Sequence, residues 1–267
     1  HSLRETRVCV FCHVGHQQGA GDNRPELRAE YQPYQSSTLS SPMPASPTGA
    51  SRICLSCHDG TIALGETVAS GVIDVANTDP AGRLPEGQSN LGTDLRKPHP
   101  ISFVPRPSRS VRPPDNSPVK LDRNGALQCT SCHDPHREGL DPVRKMFLVQ
   151  SNRYSAICVT CHLVDYWNSN PASHQSSTVR IEPGRTEVRY PYPTVAENGC
   201  ESCHRSHNAS ERGRLVRARG SNAEQQVCMG CHNGRVAKTD LTTDLAKSFA
   251  HQSPANAPEV HDAAESP

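Results

Sequence analysis

Every cysteine of this chain belongs to one short motif, Cys-x-x-Cys-His, which occurs six times; the motifs are numbered 1 to 6 in chain order. The twelve cysteines are Cys9, Cys12, Cys54, Cys57, Cys129, Cys132, Cys158, Cys161, Cys200, Cys203, Cys228 and Cys231. The histidines that close the motifs are His13, His58, His133, His162, His204 and His232. Any fold of this chain must therefore place six identical units, which makes the motif the strongest constraint in the sequence.

The residue after the second cysteine decides between the uses of paired cysteines. Disulfide frameworks and zinc ribbons do not require a histidine at that position. Covalent attachment of c-type haem does, because two thiols bond the porphyrin edge and the imidazole binds the iron. The sequence therefore predicts six covalently bound c-type haems, with twelve attachment cysteines and the six motif histidines as proximal iron ligands.

The composition indicates that side chains alone would build a poor interior. Hydrophobic residues make up 34% of the 267 residues, aromatic residues 4%, and there are 23 prolines. Soluble domains contain about 45–50% apolar residues, glycine included. A chain that buries too little cannot offset its conformational entropy. Either much of the chain is disordered or cofactors fill the interior, and packed haems would do so.

Charge and hydropathy exclude two classes of partner. The formal net charge is +1, so no strong field indicates nucleic acid. No run approaches the roughly 18 apolar residues of a membrane span. The chain starts at His1 rather than Met, as expected after removal of a secretory signal, so we expect a secreted protein, extracellular or at the cell surface, with the periplasm as the alternative.

Eight histidines remain outside the motifs and can supply second axial ligands. The six predicted distal ligands are His16, His99, His136, His174, His207 and His251. The first, third and fifth of these stand three residues after a proximal histidine, too close to reach the far face of the same porphyrin, so each is expected to ligate a neighbouring haem. His1 stays open as an alternative distal ligand, and His261 is expected to be solvated. No methionine is needed as a ligand, so bis-His irons without the upward potential shift of methionine ligation are predicted.

Residues 129–174 and 200–251 share one layout, in which 151–152 corresponds to 221–222 and 145–149 stands near the place of 213–217, and residues 9–99 follow the same order with longer insertions. Repeats of this kind usually bury little alone and stack on one another. The predicted organisation is dihaem module 1 over 1–105, a Pro-rich linker over 106–128, module 2 over 129–180, a linker over 181–199, module 3 over 200–252 and a tail over 253–267.

The predicted fold is mostly irregular and loop-rich, with a few short α-helices and minimal β structure, wrapped around a closely packed haem chain. Six haems leave about 45 residues each, far too few for one domain per haem. Short helices are expected around the haem motifs and at 237–250, and short strands at 72–75 and 186–190.

Three segments, 53–63, 92–103 and 128–136, resemble the multihaem cytochrome c families of metal-respiring prokaryotes. The six motifs, and an early His followed by Cys-x-x-Cys-His-x-x-His, are further similar to the hexahaem subunits of extracellular cytochrome nanowire filaments. That resemblance implies a head-to-tail homopolymer with a continuous haem chain, in which His16 coordinates a haem of the adjacent subunit. The insertions 17–53 and 59–98 have no counterpart in it.

The expected function is electron transfer to redox partner proteins or extracellular acceptors. A discrete monomeric cytochrome with the same haem chemistry is the first alternative, and a multihaem enzyme is the second. An enzyme needs an iron with an open coordination position and nearby acid or base groups. Because distal histidines suffice for all six irons, we expect no enzymatic activity.

Overall fold

The structure is a computed structural model that describes residues 9, 29–64, 66–67, 71–72, 75–164, 174–186, 189–210, 214–218 and 223–246. Its helices are α1 (Gly49–His58), α2 (Cys129–Cys132), α3 (Val195–Asn198), α4 (Ala223–Met229) and α5 (Thr242–Leu245). Single 3₁₀ turns cover Arg153–Ser155, Cys158–Thr160, His174–Ser176 and Gly199–Ser202. Strands β1 (Glu66–Thr67) and β2 (Gly71–Val72) pair antiparallel, Glu66 opposite Val72. The predicted loop-rich fold with short helices and minimal β structure is confirmed.

The expected helical turns at the haem motifs are present in motifs 2 to 6. In motifs 3 to 6 the backbone N–H of the histidine donates to the carbonyl of the first cysteine, four residues earlier. These bonds are His133 to Cys129 at 3.0 Å, and His162 to Cys158, His204 to Cys200 and His232 to Cys228, each at 2.9 Å. Each of these motifs is thus one closed turn, which fixes the imidazole relative to the two thiols.

Other predicted elements are shorter than expected. Within 237–250 the described residues contain only α5, Thr242–Leu245, and 247–250 lie outside the described residues. The expected strand 72–75 shares only Val72 with β2, while 73 and 74 are outside the description. The described residues of 186–190 form no strand, and the two prolines at 191 and 193 lack the N–H that a ladder would need.

The interior is small and largely polar. Tyr31, Leu55 and Leu95 form one apolar cluster. The large side chains below 2% exposure are mostly polar and include Gln128, Asn198 and Asp141. Such groups stay buried only when they are hydrogen-bonded, so this chain replaces part of an apolar core with a hydrogen-bond network.

The segment 181–199, expected as a linker, is packed into the structure. Tyr192, Val195 and Asn198 are buried, and α3 contacts the Arg153–Ser155 turn. The side-chain amide of Asn198 donates to the carbonyls of Tyr192 at 2.8 Å and Thr194 at 2.6 Å. This segment therefore packs against the turn that precedes motif 4.

The two later repeats use the same hydrogen bonds in the same register. The N–H of Asp134 donates to Phe147 and the N–H of Arg205 donates to Leu215, both at 2.7 Å. Phe147 and Leu215 both have positive φ, 56° and 55°. Phe147 and Leu215 hold the same place in the segments 145–149 and 213–217. The sequence repeat therefore corresponds to a repeated backbone structure.

In the described part of the chain, none of the helices combines the length and the apolar character that a membrane crossing requires.

Candidate functional site

Three pairs of imidazole rings face one another, and each pair joins a motif histidine to a predicted distal ligand. The pairs, with their centroid separations, are His162 and His99 at 6.1 Å, His133 and His207 at 5.9 Å, and His232 and His174 at 6.1 Å. A nitrogen–metal bond to imidazole is about 2 Å, so two rings that share one metal ion have centroids about 6 Å apart. Each pair has the separation that axial ligation of one iron from both faces requires.

A pair of imidazoles is incomplete as a metal site without a macrocycle. No three His, Cys, Asp or Glu side chains among the described residues converge on one metal position, as a structural zinc site would need. The described cysteines also form no disulfides. Two axial imidazoles with two thiols at the edge are the donor set that fits a covalently bound haem, whose porphyrin supplies the remaining four nitrogens.

The motif histidines are held by backbone carbonyls. The Nδ1 atoms bond to carbonyl oxygens in four cases: His58 to Ser89 at 2.8 Å, His133 to Met146 at 2.8 Å, His204 to Arg214 at 3.0 Å and His232 to Thr239 at 3.2 Å. A carbonyl can only accept, so Nδ1 carries the proton and Nε2 is left with its lone pair. Such bonds fix the orientation and tautomer of a metal-binding imidazole.

Two of the predicted distal imidazoles, those of His99 and His207, are kept neutral. Burial, with a smaller contribution from His162, lowers the pKa of His99 to about 4. Burial, followed by the charge of His133, lowers the pKa of His207 to about 4 as well. Since a metal binds the neutral imidazole, these environments favour the ligating form at neutral pH.

His99 and His207 are presented on two segments that are hydrogen-bonded to each other. The N–H of His99 donates to the carbonyl of Ser206 at 2.7 Å, and the N–H of Ala209 donates to Lys97 at 3.1 Å. The residue that follows His207, Asn208, donates its amide to the carbonyl of Asn90 at 2.8 Å. Module 2 thus faces one histidine from module 1 and one from module 3.

The attachment cysteines of neighbouring motifs lie close together. The thiols of Cys54 and Cys129, and those of Cys158 and Cys200, are in hydrogen-bonding contact. Cys132 and Cys161, and likewise Cys203 and Cys228, are near enough that the charge of the second thiolate adds to burial in raising the pKa of the first thiol. Motifs 2 to 6 therefore neighbour one another in the order in which they occur in the chain.

The remaining predicted site residues lie elsewhere. Cys12, His13, His16, His251 and the alternative ligand His1 lie outside the described residues. Cys9 is exposed. The side chain of His136 is 75% exposed, and its Nδ1 lies 3.1 Å from a carboxylate oxygen of Asp134. The attachment and ligand roles of these residues, like those of the paired histidines, stay predictions.

Comparison with known families matches two segments of the chain. The family described as Doubled CXXCH motif matches residues 122–165 and 193–237, which contain motifs 3 and 4 and motifs 5 and 6. The chain is a multihaem c-type cytochrome. No curated protein matches the sequence.

Sequence reasoning missed the backbone carbonyls that orient the motif histidines of this cytochrome. The carbonyls of Met146 and Arg214, which orient His133 and His204, come from residues with no chemical signature of their own. A signal was nevertheless present, because both residues lie in the matched segments 145–149 and 213–217. Their repetition at one offset could have indicated a shared structural role.

Sequence reasoning also missed a cation held among the later motifs. The guanidinium of Arg217 lies 5.3 Å from the ring centroid of Tyr190. Burial lowers the pKa of Arg217, and the Tyr190 hydroxyl donates to the carbonyl of Ser202 at 3.1 Å. Through the bond to Ser202, Tyr190 and the guanidinium of Arg217 lie beside motif 5.

Proposed function

We propose that this cytochrome carries six haems, transfers electrons outside the cell, and polymerises into a conductive filament. The observation that carries the proposal is the set of imidazole pairs between modules, at centroid separations of 5.9 and 6.1 Å. Covalently bound haem supplies a one-electron carrier. The six-haem count is supported by six motifs of one pattern, with motifs 2 to 6 sharing one local turn.

Electron transfer, rather than catalysis, follows from how the axial positions are filled. The paired histidines would supply a ligand to both faces of three haem irons. Chemistry at iron needs an open position, which a pair of tightly held imidazoles does not leave. We infer that the protein is not an enzyme, and that two histidines per iron keep the potentials low.

A continuous path is supported by the order of the attachment sites. Cys54 contacts Cys129 and Cys158 contacts Cys200, so the edges to which successive porphyrins attach meet at these points. The other two junctions, from motif 3 to 4 and from motif 5 to 6, lie within modules. An electron that enters at motif 2 can therefore pass along the chain order to motif 6.

Polymerisation is supported by a displacement rule in the ligand pairing. The late histidines of modules 1 and 2 face the second motif of the next module, as His99 faces His162 and His174 faces His232. The early histidine of module 3, His207, faces the first motif of the module before it, at His133. In module 2, both motif histidines lie opposite a histidine of another module.

At motif 5, the same rule predicts that the distal ligand comes from another subunit. No imidazole among the described residues lies opposite His204, although its Nδ1 is anchored at 3.0 Å like the other proximal rings. By the rule, its partner is the early histidine of a following module. In a head-to-tail polymer that residue is His16 of the next copy, and such a contact does not close on itself and so builds a filament.

The test combines electron microscopy with iron spectroscopy on the secreted holoprotein. We expect regular filaments from the wild type. His16→Ala should give small particles and convert one of the six irons to a high-spin, ligand-deficient form. His261→Ala, in the tail, is the control and should leave both unchanged. Monodisperse wild-type monomers with six low-spin irons would overturn polymerisation and favour a discrete periplasmic or cell-surface cytochrome.

A further inference from the structure

Two buried serines occupy the same place at two junctions between modules. Ser51 and Ser155 each stand three residues before the first cysteine of an even-numbered motif, at Cys54 and Cys158. Both serines have 0% exposure. They come from different secondary structures, α1 and a 3₁₀ turn, so their shared burial reflects the junction and not the local fold.

Each serine binds the backbone of the next motif along the chain. The N–H of Cys129 donates to Oγ of Ser51 at 3.0 Å. The N–H of Cys200 donates to Oγ of Ser155 at 2.7 Å. An N–H in the first turn of a helix has no partner within that helix and must be satisfied from outside. In both places the outside partner is the serine of the preceding module.

The hydroxyl of Ser51 both donates and accepts a hydrogen bond. It donates to Oε1 of Gln128 at 2.6 Å while its oxygen accepts from Cys129. Gln128 is 1% exposed and precedes Cys129 directly. This double contact fixes α1 against the start of α2, and it leaves little freedom to the cysteine that follows.

The serine contacts coincide with the places where attachment thiols of different modules meet. Cys54 lies beside Cys129, and Cys158 lies beside Cys200. The corresponding position before motif 6 is Gln225. The two serines are therefore found at the two junctions at which one module of this sequence meets the next.

We propose that Ser51 and Ser155 are positioning residues that set the distance and angle between neighbouring haems at the 2–3 and 4–5 junctions. A shift of the first cysteine moves the porphyrin edge bonded to it. These two junctions are the ones that connect modules, so the serines control the steps at which electrons leave one module for the next. The inference rests on haem attachment at these motifs, and it does not require a filament.

The experiment compares Ser51→Ala and Ser155→Ala with two controls, Gln225→Ala and Ser117→Ala. Gln225 holds the same position in module 3, and the Ser117 hydroxyl donates at 3.1 Å to the carbonyl of Val119, outside the haem motifs. For each holoprotein we would measure haems per chain by mass, the iron spin state, the melting temperature, and the Soret circular dichroism couplet. That couplet arises from neighbouring haems and depends on their mutual angle and distance.

We expect Ser51→Ala and Ser155→Ala to keep six haems and low-spin irons but to lose couplet amplitude, with additive loss in the double variant. The controls should keep the wild-type couplet. A lowered melting temperature with an unchanged couplet would show a merely structural role and overturn the proposal, as would an equal loss in Gln225→Ala. Fewer than six haems in the wild type would instead count against the proposed function.

If the alanine variants do not mature, a second pair keeps the test decisive. Threonine and valine at either position have the same shape, and only threonine keeps the acceptor oxygen. We expect the threonine variants to retain a larger couplet than the valine variants. Equal couplets in the two would overturn the proposal.

Discussion

Replacing Asp141 by asparagine should destabilise the cytochrome by about 2–4 kcal/mol at neutral pH. Asp141 is 0% exposed and accepts five hydrogen bonds. The donors are the backbone N–H groups of Val143 at 3.0 Å, Arg144 at 2.9 Å and Asn152 at 2.9 Å, the hydroxyl of Ser151 at 3.2 Å, and the hydroxyl of Tyr192. This carboxylate therefore ties the loop of module 2 to the 189–198 segment.

The magnitude follows from which bonds an amide can replace. If the amide nitrogen takes the place of Oδ2, the two hydroxyls can turn and accept, and only the N–H of Asn152 loses its acceptor. One unsatisfied buried donor costs about 1–3 kcal/mol, and the loss of charge assistance in the other bonds adds about 1 kcal/mol. For a chain of this size each kcal/mol lowers the melting temperature by about 2–4 °C, so a decrease of about 5–15 °C is expected.

The pH dependence supplies a second signature. Burial raises the pKa of Asp141, but the hydrogen bonds from the Arg144 N–H and from Tyr192 outweigh it, and the net pKa lies below the ordinary value. A depressed folded-state pKa contributes stability above the unfolded pKa of about 4, and this contribution is lost as the pH falls through the folded pKa. The difference between wild type and Asp141→Asn should thus be constant at neutral pH and shrink in acid.

Thermal unfolding followed by circular dichroism measures both effects. The matched control is Asp79→Asn, a half-buried carboxylate that accepts from the N–H of Ala81 at 2.9 Å and of Arg83 at 2.8 Å. An asparagine can keep both bonds there, so a change below about 0.5 kcal/mol is expected. Equal stability of Asp141→Asn and wild type at pH 7, or an equal loss in the control, would refute the reasoning.

Three further changes test the site and its frame. His207→Met should raise one midpoint potential in a spectroelectrochemical titration, because methionine ligation favours the reduced iron; six unchanged midpoints would contradict the ligand assignment. Thr194→Ala should cost about 1 kcal/mol in thermal unfolding, since Oγ1 caps α3 by accepting an N–H at 3.3 Å, and an unchanged melting temperature would show that the cap is dispensable. Gly60→Ala should cost more than about 1 kcal/mol, because φ is +70° and a Cβ would lie 2.2 Å from the amide nitrogen of Asn90. Gly184→Ala, at φ +79° in open space, isolates the backbone share of that loss and should be the milder change.

The sequence was sufficient for features that depend on local pattern. Motifs 3 to 6 each encode a single turn, and a chain with few apolar residues and many prolines cannot form long helices or sheets. The approximate placing of 145–149 against 213–217 is also confirmed, because the same backbone hydrogen bonds recur in both segments. These features are fixed within about twenty residues, which is the range over which pattern is informative.

The pairing of ligands could not be read from the sequence, because it depends on how modules dock. Nothing near His99 indicates that it faces His162 rather than a nearer motif histidine. The docking is set by contacts such as His99 to Ser206 and Ser51 to Cys129, which join residues far apart in the chain. Backbone carbonyls and serine hydroxyls carry no distinctive pattern until two repeats are compared.

The source of each distal ligand links structure and function in this protein. His99 and His207 reach module 2 from modules 1 and 3, so two-sided coordination of haem irons at His162 and His133 would require all three modules to be docked. Such coordination would bridge segments that are far apart in the sequence. The small apolar cluster around Leu55 cannot provide comparable cohesion. The contacts that hold the chain together are therefore also the ones that align its electron carriers, and a change that loosens the docking should alter potentials and stability together.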